Sequence, residues 1–173
     1  LYGLKYPEIK VWGQGYIGMI PVPIILTVII FAVSAYLFYK TKFGRYTVSI
    51  GSNEEAAKLV GINVDKIKIL VFVLSGVFCA IAGIILASRS EAAIPTAGNA
   101  YEMDAIAATV IGGTSMSGGK GNMFGTALGA ILMATIKNGL SLLNVNTFWH
   151  QVVIGLFILF AVALDGFAAK KAN

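Results

Sequence analysis

The chain has 173 residues, 57% of them hydrophobic and only 12% charged, with 13 Lys and Arg against 8 Asp and Glu for a net charge of +5; its mean hydropathy is +0.82. Soluble domains carry about 25% charged residues, so this composition excludes a soluble globular protein and requires a membrane protein with its charge outside the hydrocarbon. Nucleic acid is excluded as a partner because the basic residues flank apolar runs, as topology signals do, and do not gather on one face.

In chain order, residues 1–18 form a polar, Gly-rich lead-in, expected outside the membrane. The start at Leu1 without an initiator Met, and with no signal peptide, is expected of part of a longer protein. A transmembrane helix needs about 20 mostly apolar residues. Residues 19–39 qualify, with Pro21 and Pro23 in the first turn, where proline is tolerated. Residues 67–88 qualify and hold the lone Cys79, which has no partner for an internal disulfide and reads as a small packing residue. Residues 123–143 qualify despite Lys137 and Asn138. Residues 148–164 are slightly short. Between them, 101–115 is weakly apolar and rich in Ala and Gly. The fold class is all-α, a polytopic transmembrane helical bundle in a single domain.

The status of 101–115 decides the topology. If it crosses, Lys40, Lys42, Arg45, Lys58, Lys66, Lys68, Lys120, Lys170 and Lys171 share one side. Lys5, Lys10 and Arg89 keep the other side, and Lys137 lies within a span. If it only dips in and returns, Lys120, Lys170 and Lys171 change sides. The positive-inside rule favours five crossings, one of them short, with 40–66 and the C-terminus inside and 89–100 outside. A short, Gly-interrupted segment suits either a broken helix beside a transport cavity or close helix packing through small residues.

The 52–61 stretch is a polar interruption between two apolar runs. Ser52 to Glu55 is S-x-x-E, which predicts a capping box, and Glu54 and Glu55 complement the helix dipole. Ala56, Ala57, Lys58 and Leu59 favour helix, and Gly61 stands where a C-terminal glycine belongs. About two turns are too few for stability alone, so this helix must dock. Ala56, Leu59 and Val60 share a face. A lipid surface is one dock and a cleft in a partner protein is another. The alanines favour the cleft, since a lipid anchor presents Trp, Phe and Leu.

Two catalytic patterns fail. "GGTSMSGGKGN" lacks the Ser or Thr after Gly119-Lys120 and the leading glycine that a phosphate-binding loop needs. Ser115 has a base only in His150, the sole histidine, and the expected topology puts much of a roughly 30 Å core between them. One histidine also offers too few ligands for a metal. Intramembrane polar groups are functional candidates by default. Lys137 and Asn138 are the clearest, although Lys137 is near enough to the span end to snorkel. Glu102 and Asp104 either face a solute or mark a helix start. Gly112, Gly113, Gly118, Gly119 and Gly121 permit tight turns and close approach, and Gly125-x-x-x-Gly129 continues a small-residue face.

The stretches "TKFGRYTVSIGSNEEAAKLVGINVDKIKI", "PTAGNAYEMDAIAATVIGGTSMSGGKGNMFGTALGAIL" and "FWHQVVIGLFILFAVALD" resemble the permease subunits of bacterial ABC importers for simple sugars of the ribose and galactose type. The match covers about 17–165 and corresponds to the C-terminal half of such a permease. It implies a multi-pass subunit of the bacterial cytoplasmic (inner) membrane, without a cofactor or covalent chemistry. It also implies an ATPase inside, a sugar-binding protein outside, and a second permease copy or homologue. The resemblance makes 52–61 a coupling helix seated in the ATPase, with Gly51, Ser52, Asn53, Glu54, Glu55, Ala56, Ala57 and Gly61 as coupling residues. The family commonly has "GGN" where this chain has "GSN", and "RLSGI" where it has "KLVGI". Translocation-path candidates are Asp104, Gly112, Gly113, Ser115, Lys137 and Asn138. The alternative is a channel or facilitator working without an ATPase, which leaves the capped loop helix unexplained.

Overall fold

Apolar runs in a membrane must satisfy their own backbone polar groups, and the helix does this within one segment. The computed structural model, which describes residues 2–3 and 7–171, is accordingly mostly helix. The helices are α1 (Pro7–Gln14), α2 (Val22–Lys40), α3 (Lys42–Ser52), α4 (Glu54–Leu59), α5 (Val64–Ser90), α6 (Tyr101–Ile111), α7 (Met123–Leu142) and α8 (Thr147–Lys171). Of these, α2, α5 and α7 are long and apolar enough to cross a membrane, and α8 contains a shorter apolar stretch, Phe148–Phe160. The protein is a multi-pass, all-α membrane protein. It divides into two compact units, Leu1–Thr47 with Ala56–Gly98, and Val48–Glu55 with Asn99–Asn173.

In the first unit, α2 starts at Pro21, the N-cap residue, and α5 starts at Asn63, whose side chain accepts a hydrogen bond from Lys66 N. At 27 residues, or about 40 Å, α5 exceeds the roughly 30 Å core. The lead-in holds more structure than its composition indicates, because α1 packs on the far end of α5. There Lys10 Nζ donates to Glu91 Oε2 at 2.9 Å, and Gln14 Nε2 donates to the Arg89 carbonyl at 3.3 Å. Ser88 is fully buried. Strand β1 (Tyr2–Gly3) pairs antiparallel with β4 (Ala92–Ala93), and β2 (Tyr16–Ile17) with β3 (Ile20–Pro21). Lys5 lies outside the described residues. Cys79 is exposed and does not pack inside the chain.

In the second unit, α6 and α7 run antiparallel and α8 covers α6. Ala107, Ala108, Met133 and Ile154 form the core, with Ile111, Ile136 and Ile158 around it. The N-cap Asn122 of α7 accepts from Gly125 N at 3.0 Å. At 11 residues, α6 is about 16 Å long, half of the hydrocarbon core.

Candidate functional site

The polar loop departs from the expected capping box. Ser52 is the last residue of α3, the break falls at Asn53, and α4 runs only over Glu54–Leu59. Asparagine is as good a helix starter as serine, so the cap position moves by one residue and the helix is shorter than 52–61. Its far end is as expected. Gly61 has φ +83°, its N–H donates to the Lys58 carbonyl at 3.0 Å, and Ile62 N donates to the Ala57 carbonyl at 3.1 Å. This is a Schellman motif, which caps orphan carbonyls and needs a residue that tolerates the left-handed region.

Ala56, Leu59 and Val60, expected on one face of α4, are all exposed, whereas the coupling candidate Ala57 differs from expectation. Ala57 is 1% exposed, whereas Leu59 and Val60 are 88% and 75% exposed. Ala56 is exposed as well. Ala57 therefore packs within the chain, and the apolar pair that follows it is left outside. Helical geometry puts consecutive residues on different sides, which is why two adjacent alanines have opposite environments.

Just before α4, the backbone at Gly51 and Ser52 meets the α6–α7 loop. A Cβ on Gly51 would fall 2.9 Å from Gly119 N, and one on Gly119 would fall 3.0 Å from Ser52 Cα. A Cβ on Gly118 would strike the Gly51 carbonyl oxygen. The loop that makes this contact is tied to itself. Ser115 N donates to the Lys120 carbonyl at 3.2 Å, Gly118 N donates to the Ser115 carbonyl at 3.2 Å, and Asn122 N donates to Thr114 Oγ1 at 3.4 Å. Segment 51–52 and loop 118–119 are thus two stiff backbone pieces in direct contact.

Gly112 and Gly113, paired as path candidates, have different roles. Gly113, at φ +84°, ends α6 as Gly61 ends α4: its N–H donates to the Val110 carbonyl, and Thr114 N donates to the Thr109 carbonyl. A Cβ there meets nothing within 4 Å, whereas one on Gly112 would strike the backbone of Gly125 and Thr126. Gly129 faces the Ala108 carbonyl in the same way. The Gly125-x-x-x-Gly129 face is thus the seat of α6, the close packing that small residues allow.

Towards the opposite end of the hairpin, α6 and α7 hold an ion pair. Lys137 Nζ donates to Asp104 Oδ2 and stands 5.5 Å from the centroid of the Tyr101 ring. The side chains are 32% and 21% exposed. Lys137 is thus tied to Asp104, which stands in the first turn of α6. The attraction between opposite charges is stronger with water partly excluded, and it joins residues 33 apart in sequence. Asp104 Oδ1 is buried without a hydrogen-bond partner among the described residues, at a cost of about 1–3 kcal/mol for such a group. Asp104 and Lys137 line a cleft of about 340 Å³ with Tyr101 and small residues of both helices. Asn138 and Glu102 are exposed.

Ser115 and His150 are not placed as a hydrolytic pair. Ser115 lies beyond the C-terminal end of α6, while His150 lies beside Gln151 and Ile154, which share a cleft with Glu102 and Met103 at the N-terminal end. About 16 Å of helix separates those ends, too far for a nucleophile and its base. Among the described residues, no group of three or more His, Cys, Asp or Glu side chains is placed to hold a metal.

A family model described as branched-chain amino acid transport system / permease component matches residues 5–162. The chain is 49% identical to the ribose import permease protein of Bacillus subtilis, over 90% of this chain and 48% of that protein. It is 47% identical to the xylose transport system permease protein of Haemophilus influenzae, over 88% and 40%. It is 46% identical to the ribose import permease protein of Escherichia coli, over 84% and 46%. The chain spans about half the length of the curated relatives it matches. No solved structure matches it.

Proposed function

Because the chain belongs to the family described as branched-chain amino acid transport system / permease component, we propose that it forms part of the passage subunit of an ATP-driven importer for a simple sugar. The family description names amino acids. What carries the sugar reading is 46–49% identity, over 84–90% of this chain, to permeases named for ribose and xylose.

In this reading the protein lies in the bacterial cytoplasmic membrane and performs no covalent chemistry. It works with a separate ATPase inside, a sugar-binding protein outside, and a second permease copy or homologue. Leu59 and Val60 dock α4 on the ATPase, since large apolar side chains on a rigid short helix are better buried than left in water. Movement of α4 passes through Gly51 and Ser52 to Gly118 and Gly119, and from there to the α6–α7 hairpin. The packing of 51–52 on 118–119 supports one side for the 40–66 loop and Lys120, in keeping with the positive-inside rule. Chain 101–115 then crosses as a short helix followed by a loop, the form of a broken segment beside a transport pathway.

The test is uptake of labelled ribose and xylose into vesicles containing the full-length permease and its ATPase. Accumulation against a gradient that stops without ATP is expected. Equilibration without ATP would favour a facilitator, and uptake of branched-chain amino acids in place of sugars would overturn the substrate class.

A further inference from the structure

Resting on the importer reading, we infer that the cleft between α6 and α7 at Tyr101, Asp104 and Lys137 is a binding subsite for a neutral polyhydroxylated ligand. Asp104 gives Oδ2 to Lys137 and keeps Oδ1 buried without a partner among the described residues. A pair serving only to clamp two helices has no use for an orphaned oxygen in a water-poor place, where it is costly. Oδ1 has almost no accessible surface, so a ligand reaches it as the carboxylate turns toward the cleft, and a donor there removes the cost. The Lys137 ammonium has three N–H donors and accepts nothing, so beyond Asp104 it offers donors to the same ligand.

The charges select the chemistry. An anion entering the cleft meets the carboxylate, and a cation meets the ammonium. A group that is uncharged and both donates and accepts suits the two together, and the hydroxyl is that group. Two adjacent hydroxyls let one donate to Oδ1 while the other accepts from Nζ. The Tyr101 ring, 53% exposed, offers an apolar face to the C–H side of a sugar ring. Ala105, Ala130 and Ala134 line the walls, and short side chains leave the space open. A volume of about 340 Å³ falls at the small end of the range for ligand sites.

The test uses the full-length permease in its complex, with ribose and xylose as probes. First, Ala134→Cys in a Cys79→Ala background puts a thiol on the cleft wall. A sugar at ten times its Kd leaves the site free about one-tenth of the time, so maleimide labelling is expected to slow about tenfold. Labelling unaffected by either sugar at concentrations that saturate uptake would overturn the subsite. Second, Asp104→Leu with Lys137→Leu replaces the pair by an apolar contact, which a helix clamp tolerates. The double variant is expected to insert normally and to raise the uptake KM at least about tenfold, the loss of one charged hydrogen bond. Uptake indistinguishable from wild type would make the pair a clamp only. Tyr101→Phe is expected to keep the wild-type KM and Tyr101→Ala to raise it. A wild-type complex that transports neither sugar, alongside an Ala134→Cys complex whose labelling one of them slows, would sink the reading as an importer of these sugars and leave the subsite standing.

Discussion

Helices α4 and α6 both stop at a glycine in the left-handed conformation, Gly61 and Gly113, with the same pair of backbone hydrogen bonds closing each end. Their surroundings differ. Past its buried Ala57, α4 keeps Leu59 and Val60 in the open. In contrast, α6 is pressed backbone to backbone on α7 at Gly112 and Ala108, and an ion pair pins its other end. One helix is shaped by its caps and leaves a side free to be gripped. The other is shaped by contact and has no room to change. The proposed roles, a coupling element and a passage wall, call for these opposite properties, since the first would meet a partner and the second would hold its geometry.

The comparison breaks first at Gly112. Gly112→Leu drives a side chain into the Gly125 backbone, and the expected loss is about 3 kcal/mol or more. Gly113→Ala, one residue on, meets open space and pays only for its positive φ, about 1–2 kcal/mol. Thermal unfolding of the purified full-length variants measures both. Equal melting temperatures would show that neighbouring glycines are not divided between seat and cap.

A smaller effect on stability, with a larger one on assembly, is expected at α4. Leu59→Asp alters an exposed side chain and should move stability by no more than about 0.5 kcal/mol. It should also reduce co-purification of the ATPase and stop ATP-driven uptake. Undiminished association would show that the open face of α4 is not the gripped one.

The smallest effect sharpens the contrast between the two ion pairs. Lys10, through its hydrogen bond and then its charge, holds the exposed Glu91 carboxyl below its usual range. A carboxyl with a lowered folded-state pKa stabilises the fold above its unfolded value and loses that contribution as pH falls through the folded value. Melting temperature should therefore decline slightly on acidification in this range. Lys10→Met should remove that part of the decline, and an unchanged slope would show that the pair does not tie α1 to α5.

How much was legible in the sequence differs from residue to residue. The apolar runs behind α2, α5 and α7 declare helices because hydrocarbon leaves the backbone no other partner. Gly61 is legible because it comes just after a run of good helix formers, Ala56 to Leu59, and few other residues tolerate its conformation. The cap at Asn53 is one residue from where S-x-x-E put it, because α3 continues through Ser52 and local motifs do not show where a preceding helix ends. Helix α1 escapes because its eight mixed residues gain order from docking on α5, and no pattern within them records that.

By itself the sequence determined the membrane class, the apolar runs that become α2, α5 and α7, the helix-ending Gly61 and the family. These follow from composition and local spacing, which act through solvent and backbone geometry whatever the rest of the chain does. Only the tertiary structure decided that Ala57 points inward while Leu59 stays out, that Gly112 is a contact and Gly113 a cap, and that Asp104 and Lys137 share a proton donor and acceptor across 33 residues. Those outcomes depend on which surfaces of two helices meet, and one-dimensional spacing does not contain the angle and register at which they do.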